Sequence, residues 1–162
     1  MSTRLSEELR LYRAAESFLG VREVPGLRSN PYIQGWIYSA AQWLNPDDSK
    51  TAWCGCFRAA LADITGTQIV PAAFRALSWT SYGRSIRKVC PAKWPRGATV
   101  ILKRKGGYHV GLLHAAAPGE VYILGGNQSD SVSIALYAES AVLDVRVSLD
   151  SEELRKHYGA SL

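Results

Sequence analysis

Trp94-Pro-Arg-Gly-Ala-Thr-Val-Ile-Leu102 marks a change of texture on which the fold turns. A Pro-x-Gly turn leads there into a β-branched apolar run, which reads as a strand. Four more strands follow at short intervals: Tyr108 to His114, Val121 to Gly125, Ser131 to Tyr137 and Val142 to Ser148. Connections this short join antiparallel neighbours, so a meander is expected. Before Trp94 the periodicity is helical. Ser6 can cap a helix over residues 6 to 19, with Glu7 and Glu8 in its first turn and an apolar face of Leu11, Ala15, Phe18 and Leu19. Val21 to Gly26 is an extended piece entering a turn. Asn30-Pro31 opens a second helix, whose face of Ile33, Trp36, Ile37, Ala40, Trp43 and Leu44 runs on until Asn45-Pro46 stops it. Such a stripe is most often core, although it can wall a cleft. Pro71 opens a short helix through Phe74 and Leu77 that ends near Gly83, residues 84 to 93 read as irregular, and a last helix is expected over 151 to 158. Helices first and strands second make an α+β fold. With 162 residues and no repeat or linker, a single domain over 1–162 is expected.

Composition narrows the function classes. Hydrophobic residues make up 47% and charged residues 20% of the chain, which is ordinary for a globular protein and unlike a disordered one. No apolar run approaches the roughly 20 residues that span a bilayer, and the N-terminus lacks the pattern of a signal peptide. Lys and Arg number 19 against 14 Asp and Glu, so the net charge of +5 favours an anionic partner such as nucleic acid, a membrane surface or a cell-wall polymer. The positive residues are scattered, and their one cluster, Lys103-Arg-Lys105, reads as a solvated turn. Three cysteines, at 54, 56 and 90, make no disulfide framework and leave a working thiol available.

Cys54 stands out among them. In Thr51-Ala-Trp-Cys-Gly-Cys-Phe57 and the residues after it, Phe57, Ala60, Leu61 and Ile64 recur at helical spacing, and Gly66 sits where a helix ends. The polar run Asp47 to Thr51 offers N-caps, which places Cys54 in the first turn. There the helix dipole and unpaired N–H groups favour a thiolate. Iodoacetamide should then label Cys54 faster than Cys90.

A nucleophilic cysteine needs a base and a group to orient it. His109 and His114 lie on one strand and point to opposite faces, while His157 sits in a charged tail. A hairpin centred on Pro118 sets His109 opposite Asn127. A two-residue turn at Pro118-Gly119 sets it opposite Gln128 instead. Either side-chain carbonyl can hold the working tautomer.

These residues resemble a known family. Ala52-Trp-Cys-Gly-Cys-Phe57, Gly107-Tyr-His-Val-Gly111 and Leu124-Gly-Gly-Asn-Gln-Ser-Asp130 are similar to motifs of the CHAP and NlpC-type cysteine peptidases, nearest to a phage-associated subgroup. The likeness extends through Leu19 to Gly26, Ser78 to Gly83 and Pro95 to Ala98. It implies a papain-like α+β fold, with the nucleophile helix packed on a C-terminal antiparallel sheet, and cleavage of an amide bond in bacterial peptidoglycan. By matching motif, Cys54 is the nucleophile, His109 the base and Asn127 the orienting residue, with Gln128 the alternative. The chain departs from the family at Gly125, where many CHAP domains carry an acidic residue, and at Ala98, where many relatives carry aspartate.

The resemblance further implies a phage endolysin, or else a virion-associated lysin or a secreted antibacterial amidase effector. Such a protein is made in the host cytoplasm and acts in the periplasm or cell wall after release. Peptidoglycan is the expected partner of a monomer that needs no cofactor, metal, nucleic acid or stable membrane insertion. The backbone N–H of Cys54 is one expected oxyanion donor, with Asn45 and Gln42 as candidates for a second. Two rivals stand beside this reading. One is a metal site of Cys54, Cys56, His109 and Cys90, although Cys-x-Cys lacks the usual ligand loop. Asn45-Pro-Asp-Asp-Ser49 likewise falls short of a complete calcium loop. The other rival is a non-catalytic wall-binding module on the same fold, for which a thiol has no purpose.

Overall fold

The computed structural model of the chain describes residues 5–25, 28–151 and 155. Three α-helices come first: α1 (Glu7–Glu16), α2 (Pro31–Ala40) and α3 (Cys54–Thr65). Six strands follow: β1 (Arg84–Ser85), β2 (Thr99–Arg104), β3 (Gly107–Ala117), β4 (Glu120–Gln128), β5 (Ser131–Ala138) and β6 (Val142–Val147). They form one antiparallel sheet in the order β1-β6-β2-β3-β4-β5. The expected α+β architecture is therefore present. The meander holds from β2 to β5, but β6 returns to pair with β2, and the short β1 pairs beyond it at the edge of the sheet. The helix expected over 151 to 158 lies outside the described residues, Ser151 and Arg155 aside, as do His157 and the turn at Gly26.

Local chemistry accounts for two of the helix starts. Ser6 accepts a hydrogen bond from the Leu9 N–H, and Asn30 accepts one from Tyr32, with Pro31 in the first helical turn. α2 ends sooner than its periodicity suggests. Ala41 is extended at φ −163°, so Ile33, Trp36 and Ile37 are buried while Trp43 is carried out to 72% exposure. The α3 cap also differs from expectation. It is Trp53, with no side-chain capping bond, rather than any residue of the run from Asp47 to Thr51. Burial substitutes for the cap: the Trp53 indole is fully enclosed and donates to Glu23 Oε1 at 2.8 Å. Gly66 closes the helix in the left-handed region at φ 65°. Pro71 opens only turns, followed by a 3-10 segment, Ala76–Ser81.

The helices pack on one side of the sheet, where Trp36, Trp53 and Phe57 meet Leu112, Leu124 and Val132. On the other side Val100, Leu102, Leu113, Ile123 and Val145 gather under Trp94. Arg58 is enclosed within α3. Its Nε and Nη2 donate to Thr99 Oγ1 at 3.1 and 3.0 Å, and its guanidinium lies 4.2 Å from the Trp79 ring. Burial lowers its pKa only to about 10, so it ties α3 to β2 as a cation.

The start of α3 lies close against the sheet at Gly126. A Cβ there would stand 2.5 Å from the Trp53 ring and 2.9 Å from Phe57 Cβ. Gly126→Ala should therefore cost about 1–3 kcal/mol through overpacking. Gly35→Ala meets open space inside α2 and should be neutral or stabilising by about 0.5–1 kcal/mol. Urea unfolding of the two variants checks the contrast.

Candidate active site

Two irregularities in β4 and its neighbours decide what faces His109. The hairpin between β3 and β4 is the two-residue turn, since Ala117 pairs with Glu120 around Pro118-Gly119. A bulge at His114 then shifts the register by one, giving Leu113↔Ile123 and Leu112↔Leu124. Extended further, that register would point to Asn127. The β3–β4 ladder ends there instead, and β4 makes a second bulge against β5 between Gly125 and Gln128. Asn127 sits in the left-handed region at φ 57° and is half-buried, while Gln128 is turned inward and is 3% exposed. The amide that meets the imidazole is thus that of Gln128, not Asn127, with His109 Nε2 2.9 Å from Gln128 Oε1.

The surrounding bonds fix the proton. Gln128 Nε2 donates to the carbonyls of Ile123 at 3.1 Å and Ser133 at 2.6 Å, so its Oε1 is the acceptor. Oε1 accordingly accepts from His109 Nε2–H, and also from the Tyr137 hydroxyl at 3.2 Å. The Tyr137 ring stacks on the imidazole with centroids 5.7 Å apart. The proton of the ring is therefore on Nε2, and because burial lowers the imidazole pKa to about 4 the ring is neutral with its lone pair on Nδ1, a buried nitrogen with no hydrogen-bond partner among the described residues. An oriented imidazole with a vacant basic nitrogen is what a general base requires. Tyr137 belongs to this cluster, and no sequence signal marked it. Gly125 leaves room for it: a Cβ there would stand 3.2 Å from His109 Nε2 and 3.0 Å from Gln128 Oε1. Any side chain at Gly125 would crowd this amide–imidazole pair.

Cys54 is the first residue of α3 and approaches the same strand. Its sulfur lies against the N–H of Val110, the residue after His109, and packs with Val110, Ile101 and Trp79. No hydrogen bond joins the sulfur to the imidazole in this state. Burial pushes the thiol pKa up, against the lowering by the N–H groups of Val110, Gly55 and Cys54 and by the Arg104 charge. The expectation of a thiolate, and with it of faster iodoacetamide labelling at Cys54 than at Cys90, is thus corrected: a residue only 3% exposed loses more by desolvation than the helix start returns. The resting pair is thiol and neutral imidazole.

A groove of about 560 Å³ opens at Cys54, with Leu44, Ala52, Phe74, Leu77 and Tyr108 as apolar walls and Lys50 and Arg75 as charged members, while His109 is fully buried and does not line it. Gln42 and Asn45 do not line it. The other sequence candidates lie elsewhere. His114, at its bulge, bonds through Nδ1 with the Tyr12 hydroxyl of α1. Cys56 is fully buried in the helical core, with its thiol pushed up to about 12 by burial, and Cys90 is exposed. Cys54, Cys56, His109 and Cys90 do not converge, since no three potential metal ligands do so among the described residues. No helix of these residues is long and apolar enough to cross a membrane.

Burial also makes His109 a stability switch. It pushes the imidazole down to about 4, with the Gln128 bond opposing and Arg104 adding to the effect. An unfolded imidazole titrates near 6.5, so between about pH 6.5 and 4 the unfolded chain binds a proton that the native one refuses. The native state therefore loses about 3 kcal/mol as pH falls through that window, and nothing above it. Urea midpoints from pH 7.5 to 4 should show this slope in the wild type and a much shallower one in His109→Leu, where the smaller burial effect on His114 remains.

Among solved structures the chain is similar to a wild-type endolysin, LysIME-EF1, with a TM-score of 0.56 over 93% of this chain and 68% of that one at 11% identity. At such identity the likeness concerns the fold. No protein-family model matches the sequence, and no curated protein matches it.

Proposed function

We propose that this chain is a peptidoglycan hydrolase of the papain-like CHAP/NlpC type, a phage endolysin that cuts an amide bond with Cys54, His109 and Gln128. The observation that carries this is the vacant Nδ1 of His109, held in its basic tautomer by Gln128, on the strand whose next residue, Val110, turns its N–H to the Cys54 sulfur at the start of α3. Likeness of fold to an endolysin supports the choice of substrate over other amides, and a net charge of +5 suits an anionic wall.

The chemistry follows from the neutral pair. As substrate enters the groove, Nδ1 takes the Cys54 proton and the sulfur attacks the amide carbonyl. The Cys54 N–H, without a helical partner at the first position of α3, faces the developing oxyanion. Gln128 Oε1 steadies the imidazolium through Nε2–H, and Nδ1–H then protonates the leaving amine. Water hydrolyses the acyl-enzyme by the reverse proton path. Because His109 is neutral above about pH 4, the acid limb of kcat/KM should lie near pH 4 rather than 6.5. Incubation with purified sacculi should release soluble fragments carrying new amino termini or freed lactyl groups. Sacculi left intact at all pH values would overturn the proposal.

A further inference from the structure

We infer that Tyr137 is a positioning residue for His109: its ring is a lid that keeps water off the imidazole, fastened by its hydroxyl to the Gln128 amide. This deepens the hydrolase reading, since the residue acts through the base named there. β5 is the outer strand beside β4, and Ser133, Ala135 and Tyr137 share one of its faces. From that face two residues reach Gln128, with the Ser133 carbonyl 2.6 Å from Nε2 and the Tyr137 hydroxyl 3.2 Å from Oε1. The bonding positions of the amide are then filled, because Nε2 also donates to Ile123 and Oε1 also accepts from His109. Burial pushes the Tyr137 hydroxyl pKa up, so it stays a donor. The fastening is to the same oxygen that orients the imidazole.

The ring has the larger task. It stacks on the imidazole with centroids 5.7 Å apart and planes at 27°. His109 is fully buried whereas Tyr137 is half-buried, so the ring stands between the imidazole and solvent. Arg104 of β2 acts on both groups and Cys54 of α3 acts on the tyrosine, and neither is a carboxylate that would hold a proton on the imidazole. Exclusion of water is therefore what keeps His109 neutral below its ordinary range. When the imidazolium forms in turnover, it does so against an aromatic face, which attracts a cation.

NMR of the ¹⁵N-labelled histidine rings tests this in the wild type, Tyr137→Ala and Tyr137→Phe. The wild type should show His109 as the Nε2–H tautomer titrating at about 4, with cross-relaxation between its ring protons and those of Tyr137. Tyr137→Ala should admit water and move the titration up to about 6, toward the value of a free imidazole. Tyr137→Phe keeps the ring and should stay close to the wild type in titration and tautomer. On a soluble wall fragment, the kcat/KM at pH 5 relative to that at pH 7.5 should fall about tenfold in Tyr137→Ala, as the neutral fraction does when a pKa of about 4 becomes about 6, and should recover in Tyr137→Phe. An unmoved titration in Tyr137→Ala, an equal shift in Tyr137→Phe, or a wild type without the cross-relaxation would each overturn the lid, and the last needs no variant to fold. If the titrations move as stated while the wild type leaves sacculi intact, the lid stands and the hydrolase reading falls.

Discussion

Cys54→Ala is expected to abolish wall lysis, lowering the rate by about 10³-fold or more, as loss of a nucleophile does in catalytic triads. The sulfur is the one thiol in the groove, because Cys56 is sealed in the helical core and Cys90 lies outside the site. Fold integrity separates this from collapse. Cys54 is small and packs against Val110 and Ile101, so the variant should unfold cooperatively near the wild-type midpoint. Cys90→Ser should clear sacculi at the wild-type rate. Turbidity loss and mass spectrometry of released fragments, run beside urea unfolding, give the answer. Comparable lysis by folded Cys54→Ala would reject the nucleophile.

Gln128→Met carries the second largest effect, a fall in kcat of roughly 10²–10⁴-fold, on the scale seen when a triad base loses its tautomer clamp. Methionine fills nearly the same volume but offers no strong acceptor to Nε2–H, so a buried donor is left unpaired at about 1–3 kcal/mol. The imidazole can then move its proton to Nδ1, where it no longer serves as a base. Asn127→Gly, by contrast, keeps the left-handed backbone at φ 57° and should stay within a few-fold of wild type. Steady-state kinetics on a soluble fragment discriminate sharply. A large loss in Asn127→Gly with little in Gln128→Met would return the orienting role to Asn127.

Most of the architecture was legible from local pattern. Ser6, Asn30-Pro31 and Gly66 marked helix boundaries by capping chemistry, and strand alternation with Pro-x-Gly and Pro-Gly turns located β2 to β5. What escaped depends on long-range geometry. The His114 and Asn127 irregularities each move the register by one, and single-residue offsets leave no periodic trace, so Asn127 and Gln128 could not be separated. Trp53 serves as the α3 cap by being buried against Glu23, which no capping rule anticipates. Trp43 kept helical spacing after the helix had ended. The rise in the Cys54 pKa comes from enclosure by β2, β3 and the 3-10 segment, whereas the dipole argument sees only its own helix.

That enclosure bears on how the protein withstands oxidation. Oxidants and alkylating reagents consume thiolates far faster than thiols. A sulfur kept protonated and covered between turnovers is spared, while the solvent-facing Cys90 takes the first damage. Ageing in air should consequently link molecules through their surfaces before it silences their chemistry, and a serine at that one outer position would lengthen the working life of the preparation.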